Sequence, residues 1–314
     1  MGSKLKRLLK TLLKFAVTAA ALYFVIRKIE VADILELYRQ SNLFYILIAL
    51  VFFALSKLIS AIRLNVYFSA IGLTLGEKTN IRLYLLGMFY NLFLPGGIGG
   101  DGYKVYLLQK NYQTGTKKIL GAVISDRISG MIALIVLALI GISFLNPDSL
   151  SIQPSTFNFQ PSIFNFQPSI FNLQPSIFNL SFLLIPFVLI AYYFFIRYIY
   201  PYFLKINLIT YLYAFAVQLL QVACAWFLLL ALGETENHLA YIVIFLVSSA
   251  VAVLPISIGG VGVRELTFLY GSQLLNVDIN IAVGISFLFY LITATVSLCG
   301  LYFVFRPVKL REDE

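Results

Sequence analysis

The sequence predicts an all-α polytopic membrane protein with six full transmembrane helices and two re-entrant broken-helix hairpins related as an inverted repeat. Three observations carry that reading. The first is composition: 60% of the 314 residues are hydrophobic and 12% charged, with a mean hydropathy of +0.90, against roughly 25% charge in an ordinary soluble domain. The second is a pair of Pro/Gly-broken apolar segments half a chain apart. The third is the placement of the 23 lysines and arginines, which decides how those segments meet the membrane.

Windows of about 20 apolar residues are long enough to cross a bilayer as helices. They fall near residues 8–26, 43–62, 119–145, 180–200, 208–232 and 284–305. The first begins within "MGSKLKRLLKTLLKF" and runs into Arg27 and Lys28 with no convincing cleavage site, so it reads as an uncleaved anchor. Two further apolar segments, 81–95 and 239–255, are shorter and each runs into a Pro/Gly break. Cys224 and Cys299 fall inside predicted spans, which argues against a disulfide framework or a metal site and leaves them as small apolar fillers. His238, the one histidine, sits in a short loop beside Glu234 and Glu236 and reads as a solvated loop residue. Neither a cofactor nor a metal is expected, and no nucleic-acid partner.

Residues 153–180 read "QPSTFNFQPSIFNFQPSIFNLQPSIFNL", a four-fold heptad in which Gln153, Gln160, Gln167 and Gln174 are each followed by proline. A proline every seventh residue removes a helix hydrogen bond and clashes with the preceding turn, so a continuous helix or coiled coil is excluded. The segment 146–180 reads as an inserted extracytoplasmic loop in a single transmembrane domain spanning 1–314. Partner binding is the lesser alternative to a merely compositional tract.

The informative repeat lies elsewhere. Residues 94–104, "LPGGIGGDGYK", align with residues 254–264, "LPISIGGVGVR", sharing leucine, proline, isoleucine and three glycines before a cation, Lys104 or Arg264. Interrupted hydrophobic segments in corresponding halves point to a transporter-type site built from discontinuous helices. If both segments crossed the membrane, eleven cations would lie outside and twelve inside, and the positive-inside rule would be ignored. If both turn back, only Arg27, Lys28, Arg39 and Arg264 lie outside, with nineteen inside. The second arrangement is therefore expected, with both termini cytoplasmic. Three full spans separate the motifs, so the hairpins dip from opposite faces. Unpaired backbone at membrane depth is tolerated only where it is buried in protein or lines a watery cavity. The breaks at Pro95 and Pro255 are thus expected to meet near the midplane, where Gly97, Gly99, Gly100, Gly259, Gly260 and Gly262 allow close backbone approach.

Helix can resume after each turn, which puts Lys104 and Arg264 in a first turn, where the dipole is already positive and a cation costs roughly 0.3–1 kcal/mol. A bound phosphate resolves that conflict, because free N–H groups, glycine backbone and a cation together form an anion site. The alternative is that both side chains snorkel to the headgroups. Asp101 either caps its helix or counters Lys104, binds a cationic headgroup or carries a coupling proton; Glu265 has the same two readings. Asp126 and Arg127, in "SDRISG", form a self-neutralised interfacial anchor unless Arg127 faces the cavity. Arg63 is most simply an interfacial cation. Gln218 and Gln221 share a helix face and either tie spans together or line the path. Gly97, Gly99 and Gly102 also satisfy G-x-G-x-x-G, but no strand precedes them and no βαβ unit surrounds them.

The stretches "NLFLPGGIGGDGYKVYLL", "SDRISGMIALIVLALIG" and "LPISIGGVGVRELTFLY" resemble the lysylphosphatidylglycerol synthase transmembrane family, the flippase-like domain family, over nearly the whole length. On that resemblance Lys104 is the family's basic residue after the first motif's acid. Asp126 and Arg127 are its acid/arginine pair, and Gly260, Gly262, Arg264 and Glu265 its GxGxRE. The heptad loop departs from the family's usual short connection. Members that make lysylphosphatidylglycerol carry a large soluble domain that uses aminoacyl-tRNA, and the stretch 146–180 is too small to be one. The resemblance implies a lipid flippase or transporter, not an enzyme, in a prokaryotic cytoplasmic membrane. It would move a phospholipid or glycolipid, with a second copy or a separate synthase as protein partner. The rivals are a membrane-embedded, phosphatidylglycerol lysyltransferase-like enzyme and a non-transporting partner of such a synthase.

Overall fold

The computed structural model describes residues 23, 31–93, 98–112, 114–145, 176–253, 262–306 and 308. Among them the regular structure is helical, with no strand. In order the helices are α1 (Val31–Gln40), α2 (Leu43–Ala70), α3 (Glu77–Phe93), α4 (Gly99–Tyr112), α5 (Thr116–Ser143), α6 (Ser176–Ile199), α7 (Asn207–Ala231), α8 (His238–Val253), α9 (Val263–Leu274), α10 (Ile279–Leu298) and α11 (Tyr302–Phe305). A 3₁₀ turn at Pro201–Ile206 runs into α7, and another at Cys299–Leu301 joins α10 to α11.

Five stretches are long and apolar enough to cross a membrane: Leu43–Ala70, Thr116–Ser143, Ser181–Ile199, Pro201–Ala231 and Ile279–Phe305. They answer five of the six expected spans, so the chain is a multi-pass, all-helical membrane protein. The sixth, 8–26, lies outside the described residues except at Tyr23; Pro95, Gly97, Pro255, Gly259 and Gly260 and the heptad tract as far as residue 175 lie outside them too. Helix α6 begins at Ser176, ahead of the expected 180. The reason is local: Pro175 is the last proline of the heptads, and the next, Pro186, sits inside an apolar span where a missing backbone bond is tolerated.

Lipid is as apolar as leucine, so helices associate in it through close packing of small residues rather than through hydrophobic exclusion. On α2 the residues Ala49, Phe53, Ser56 and Ser60 recur at i, i+4, i+7 and i+11 and are all buried. Helix α7, its most extensive neighbour, buries Ala214, Cys224 and Ala225. The two run antiparallel: Asn42 at the start of α2 donates its N–H to the carbonyl of Ala231 at the end of α7, at 2.9 Å. Asn42 also caps α2, its side chain accepting the Phe44 N–H at 3.0 Å.

Helices α2 and α5 change character along their length. One hydrophobic cluster gathers Phe53 of α2, Leu134 of α5, Leu228 of α7, Phe245 of α8, Phe268 of α9 and Phe289 of α10. A second gathers Phe68 of α2, Leu83 of α3, Leu108 of α4, Ile119 of α5 and Ile196 of α6. Between the two, along the same helices, lie the buried polar residues Ser56, Ser60 and Arg63 on α2, Ser125, Asp126 and Ser129 on α5, and Gln218 on α7. Burial of such groups requires partners, and the partners they find define the site.

Candidate functional site

Each glycine motif lies between two short helices that fold back on one another. In the first hairpin α4 returns along α3: the side chain of Asn91 accepts the Gly100 N–H at 2.8 Å, and the rings of Tyr90 and Tyr103 are 4.5 Å apart. The approach is so close that a β-carbon on Gly100 would stand 1.8 Å from the carbonyl oxygen of Gly87. In the second hairpin α9 packs on α8, with Gly271 against Ile244. Gly262 opens α9 at φ +86°, in the left-handed region that favours glycine. Gly99 opens α4, and Gly102 has open space beside it.

Two adjoining cavities, of about 220 and 320 Å³, lie between the hairpins. They share Lys57, Tyr84, Asn91, Arg127, Gln218 and Gln221 among their walls and so form one continuous cleft. The smaller chamber adds Arg63, Asp101, Lys104 and Asp126. The larger adds Ser249 of α8, Arg264 of α9, and Phe289 and Thr293 of α10.

The charges in this cleft are unequally matched. Asp126 accepts a hydrogen bond from Arg63 Nε at 2.7 Å, a pair between α2 and α5. Asp101 accepts from Lys104 Nζ at 2.7 Å and also from Arg127. Lys104 further rests on the Tyr84 ring, 5.1 Å from its centroid. Glu265, 1% exposed, turns away from the cleft: one oxygen accepts the Gly262 N–H at 2.5 Å and the other the Ser286 hydroxyl at 3.0 Å. Lys57 and Arg264 are left with aromatic faces, Nζ lying 4.5 Å from the Phe53 centroid and Cζ 4.7 Å from that of Phe289. No carboxylate pairs with either among the described residues.

The structure thus gathers Lys104, Arg264, Asp101, Asp126 and Arg127 around one cleft and leaves Glu265 beside it as a helix-capping acid. Two expectations are corrected. Asp126 and Arg127 are not a self-neutralised pair: adjacent helical residues point about 100° apart, and each finds its partner on another helix. Arg63 is no interfacial cation, because α2 continues to Ala70 and carries it into the protein, 5% exposed, against Asp126. Gly130 makes room for it, since a β-carbon there would lie 3.4 Å from the guanidinium. Gln218 serves both anticipated roles, lining the cleft and tying α7 to α5 through a 3.1 Å hydrogen bond to the Gly130 carbonyl.

Sequence reasoning missed Lys57, Tyr84, Asn91 and Ser249. For Lys57 the signal was available: it is a lone cation in the middle of an expected span, and intramembrane ionisable residues mark sites by default. Tyr84, Asn91 and Ser249 carry no such mark, because only the folded hairpins turn them toward the cleft.

Among proteins of known sequence, the chain is 29% identical over 104 residues to a UPF0104 membrane protein of Pyrococcus horikoshii. That match spans 32% of this chain and 31% of its relative, under a third of the length of each. Residues 11–300 match the family described as the Lysylphosphatidylglycerol synthase TM region. With the two glycine hairpins and the charged cleft between them inside that range, the chain belongs to the lysylphosphatidylglycerol synthase transmembrane-region family.

Proposed function

We propose that the chain moves a polar, phosphate-bearing lipid across the cytoplasmic membrane, the headgroup passing through the cleft between the hairpins while the acyl chains stay in lipid. The observation that carries the reading is the cleft itself, a charged cavity of ligand size enclosed by helices whose outer faces are apolar. Buried charge among membrane-spanning helices is expensive, and where it is kept it marks a transport or binding site.

The packing of the described residues suits two re-entrant hairpins in an inverted repeat, and the apolar sequence of 8–26 supplies the sixth full span of that reading. Asn65 near the end of α2 donates to Glu77 at the start of α3, at 2.8 Å. Leu108 of α4 shares a cluster with Ile119 at the start of α5. These contacts suit a hairpin that enters and leaves on one face. Helices α8 and α9 share the opposite cluster with the end of α7 and with α10, which suits a hairpin from the other face. The excess of basic residues on one side supports a cytoplasmic placement of that first face and of both termini, in the prokaryotic membrane that the reading takes.

In this reading Arg264 and Lys57 receive the phosphate, with the turn glycines Gly97, Gly99, Gly100, Gly259, Gly260 and Gly262 bringing backbone close. Asp101, Lys104, Asp126, Arg127 and Arg63 form the ion-paired wall along which the headgroup passes. Purified protein in liposomes with headgroup-labelled phospholipids tests the proposal. Transbilayer exchange rises above protein-free vesicles and falls back toward them in Arg264→Ala. Unchanged exchange on adding protein, or the appearance of a chemically modified lipid in place of exchange, would overturn it in favour of a scaffold or a transferase.

A further inference from the structure

We infer that the larger chamber selects a phosphoryl anion that carries no ammonium group, the headgroup class of an acidic phospholipid, and that Lys57, Arg264 and Ser249 hold it. That the lipid is then carried across the membrane rests on the transport reading; the binding preference does not.

The argument is an accounting of carboxylates. Three acids lie in or beside the cleft, and each is engaged: Asp126 by Arg63, Asp101 by Lys104 and Arg127, Glu265 by the Gly262 N–H and the Ser286 hydroxyl. The glycine turns themselves, residues 94–97 and 254–261, contain no acid in the sequence, and none precedes Glu30. The charged groups lining the larger chamber are Lys57, Arg127 and Arg264, all cations. An ethanolamine or aminoacyl headgroup would bring an ammonium among them with no carboxylate to meet it. A phosphomonoester brings the opposite charge.

The support behind the two cations is apolar and shared. Phe53, under Lys57, meets Phe289, under Arg264, edge to face at 5.3 Å between centroids. One aromatic pair, from α2 and α10, therefore backs both charges. Ring faces attract cations but offset only part of the loss of water around a buried ion, so the outward side of each charge is open to an anion. Ser249 adds a hydroxyl that is buried at 6% exposure and has no hydrogen-bond partner among the described residues, and it lines the same chamber. Two cations and a hydroxyl donor, on three different helices, suit the several oxygens of a phosphoryl group.

The test uses the full-length chain in phosphatidylcholine nanodiscs doped equally with phosphatidic acid and phosphatidylethanolamine, with retained lipid counted by native mass spectrometry. Phosphatidic acid is expected to exceed phosphatidylethanolamine by about tenfold, the order set by one charge-assisted hydrogen bond. Lys57→Gln and Arg264→Gln each remove most of that preference. Lys57→Arg retains it, and Ser249→Ala, a mild change, lowers it about threefold. Glycerol 3-phosphate is added in a second arm. If it displaces the lipid at equal concentration, the site stands as a phosphoryl site for a soluble anion. Equal retention of the two lipids, or a preference unchanged in both glutamine variants, overturns the proposal. Exchange in liposomes is measured on the same preparations. Lys57-dependent retention without exchange removes the transport reading and leaves the site, whereas exchange without lipid preference does the reverse.

Discussion

The two glycine motifs align residue for residue, yet only the first neutralises its own cation. In the first hairpin Asp101 precedes Lys104 by three positions, one helical turn, and the two meet at 2.7 Å. In the second the corresponding position before Arg264 is Val261, and the nearby acid, Glu265, comes one residue after the arginine. Glu265 therefore faces another direction and caps α9 through the Gly262 N–H. The backbones differ in the same way. Gly102 continues the first turn of α4 with no positive φ, whereas its counterpart Gly262 is held at φ +86°. Both motifs carry the break and the cation, but among the described residues Lys104 has a carboxylate within ion-pair distance and Arg264 has none.

That contrast can be broken most severely at Gly100. Alanine there puts a β-carbon 1.8 Å from a backbone oxygen that has no rotamer to escape with. Gly100→Ala is expected to lose the monodisperse folded species on size-exclusion chromatography, an overpacking effect beyond about 3 kcal/mol. Next in size is Asp126→Asn, which leaves the buried Arg63 uncompensated and lowers thermal stability in detergent by about 3 kcal/mol. Adding Arg63→Met to it is expected to restore part of the loss, because a buried pair is dispensable when both partners go.

Five of the six span positions and the two interruptions between short helices were legible because each rests on local signal, apolar length in one case and proline with glycine in the other. The Asp101–Lys104 pair was legible too, as a spacing of three on a helix. Arg63 and Asp126 were not, since 63 residues separate them and only the packing of α2 on α5 brings them together. Lys57 carried a readable sign as a lone cation among leucines and phenylalanines, but it is 47 residues from Lys104 and 207 from Arg264, so only the fold puts it on the same cleft.

Smaller effects sharpen the comparison. Asp101→Asn makes the first hairpin electrostatically like the second. It is expected to destabilise by about 2 kcal/mol, less than Asp126→Asn because the Arg127 side chain keeps 31% of its exposure. The same variant should raise retention of phosphatidic acid by about threefold in nanodiscs, since the carboxylate that Lys104 meets is neutralised. Smallest is the glycine exchange at equivalent positions. Gly262→Ala costs about 1 kcal/mol for a non-glycine residue in the left-handed region, while Gly102→Ala, with open space around it, stays within about 0.5 kcal/mol. Equal thermal shifts for the two would erase the backbone difference between the halves.

The pairing of Arg63 with Asp126 also sets a timetable for biosynthesis. A ribosome adding about 5–20 residues per second completes Asp126 roughly 3 to 13 seconds after Arg63, given the 63 residues between them. For that interval α2 stands at the membrane carrying Lys57 and Arg63 with neither counter-ion nor the packing of α5 and α7 around them. The Arg63–Asp126 pair thus couples the burial of α2 to the arrival of α5, so the two helices are expected to enter the finished packing together.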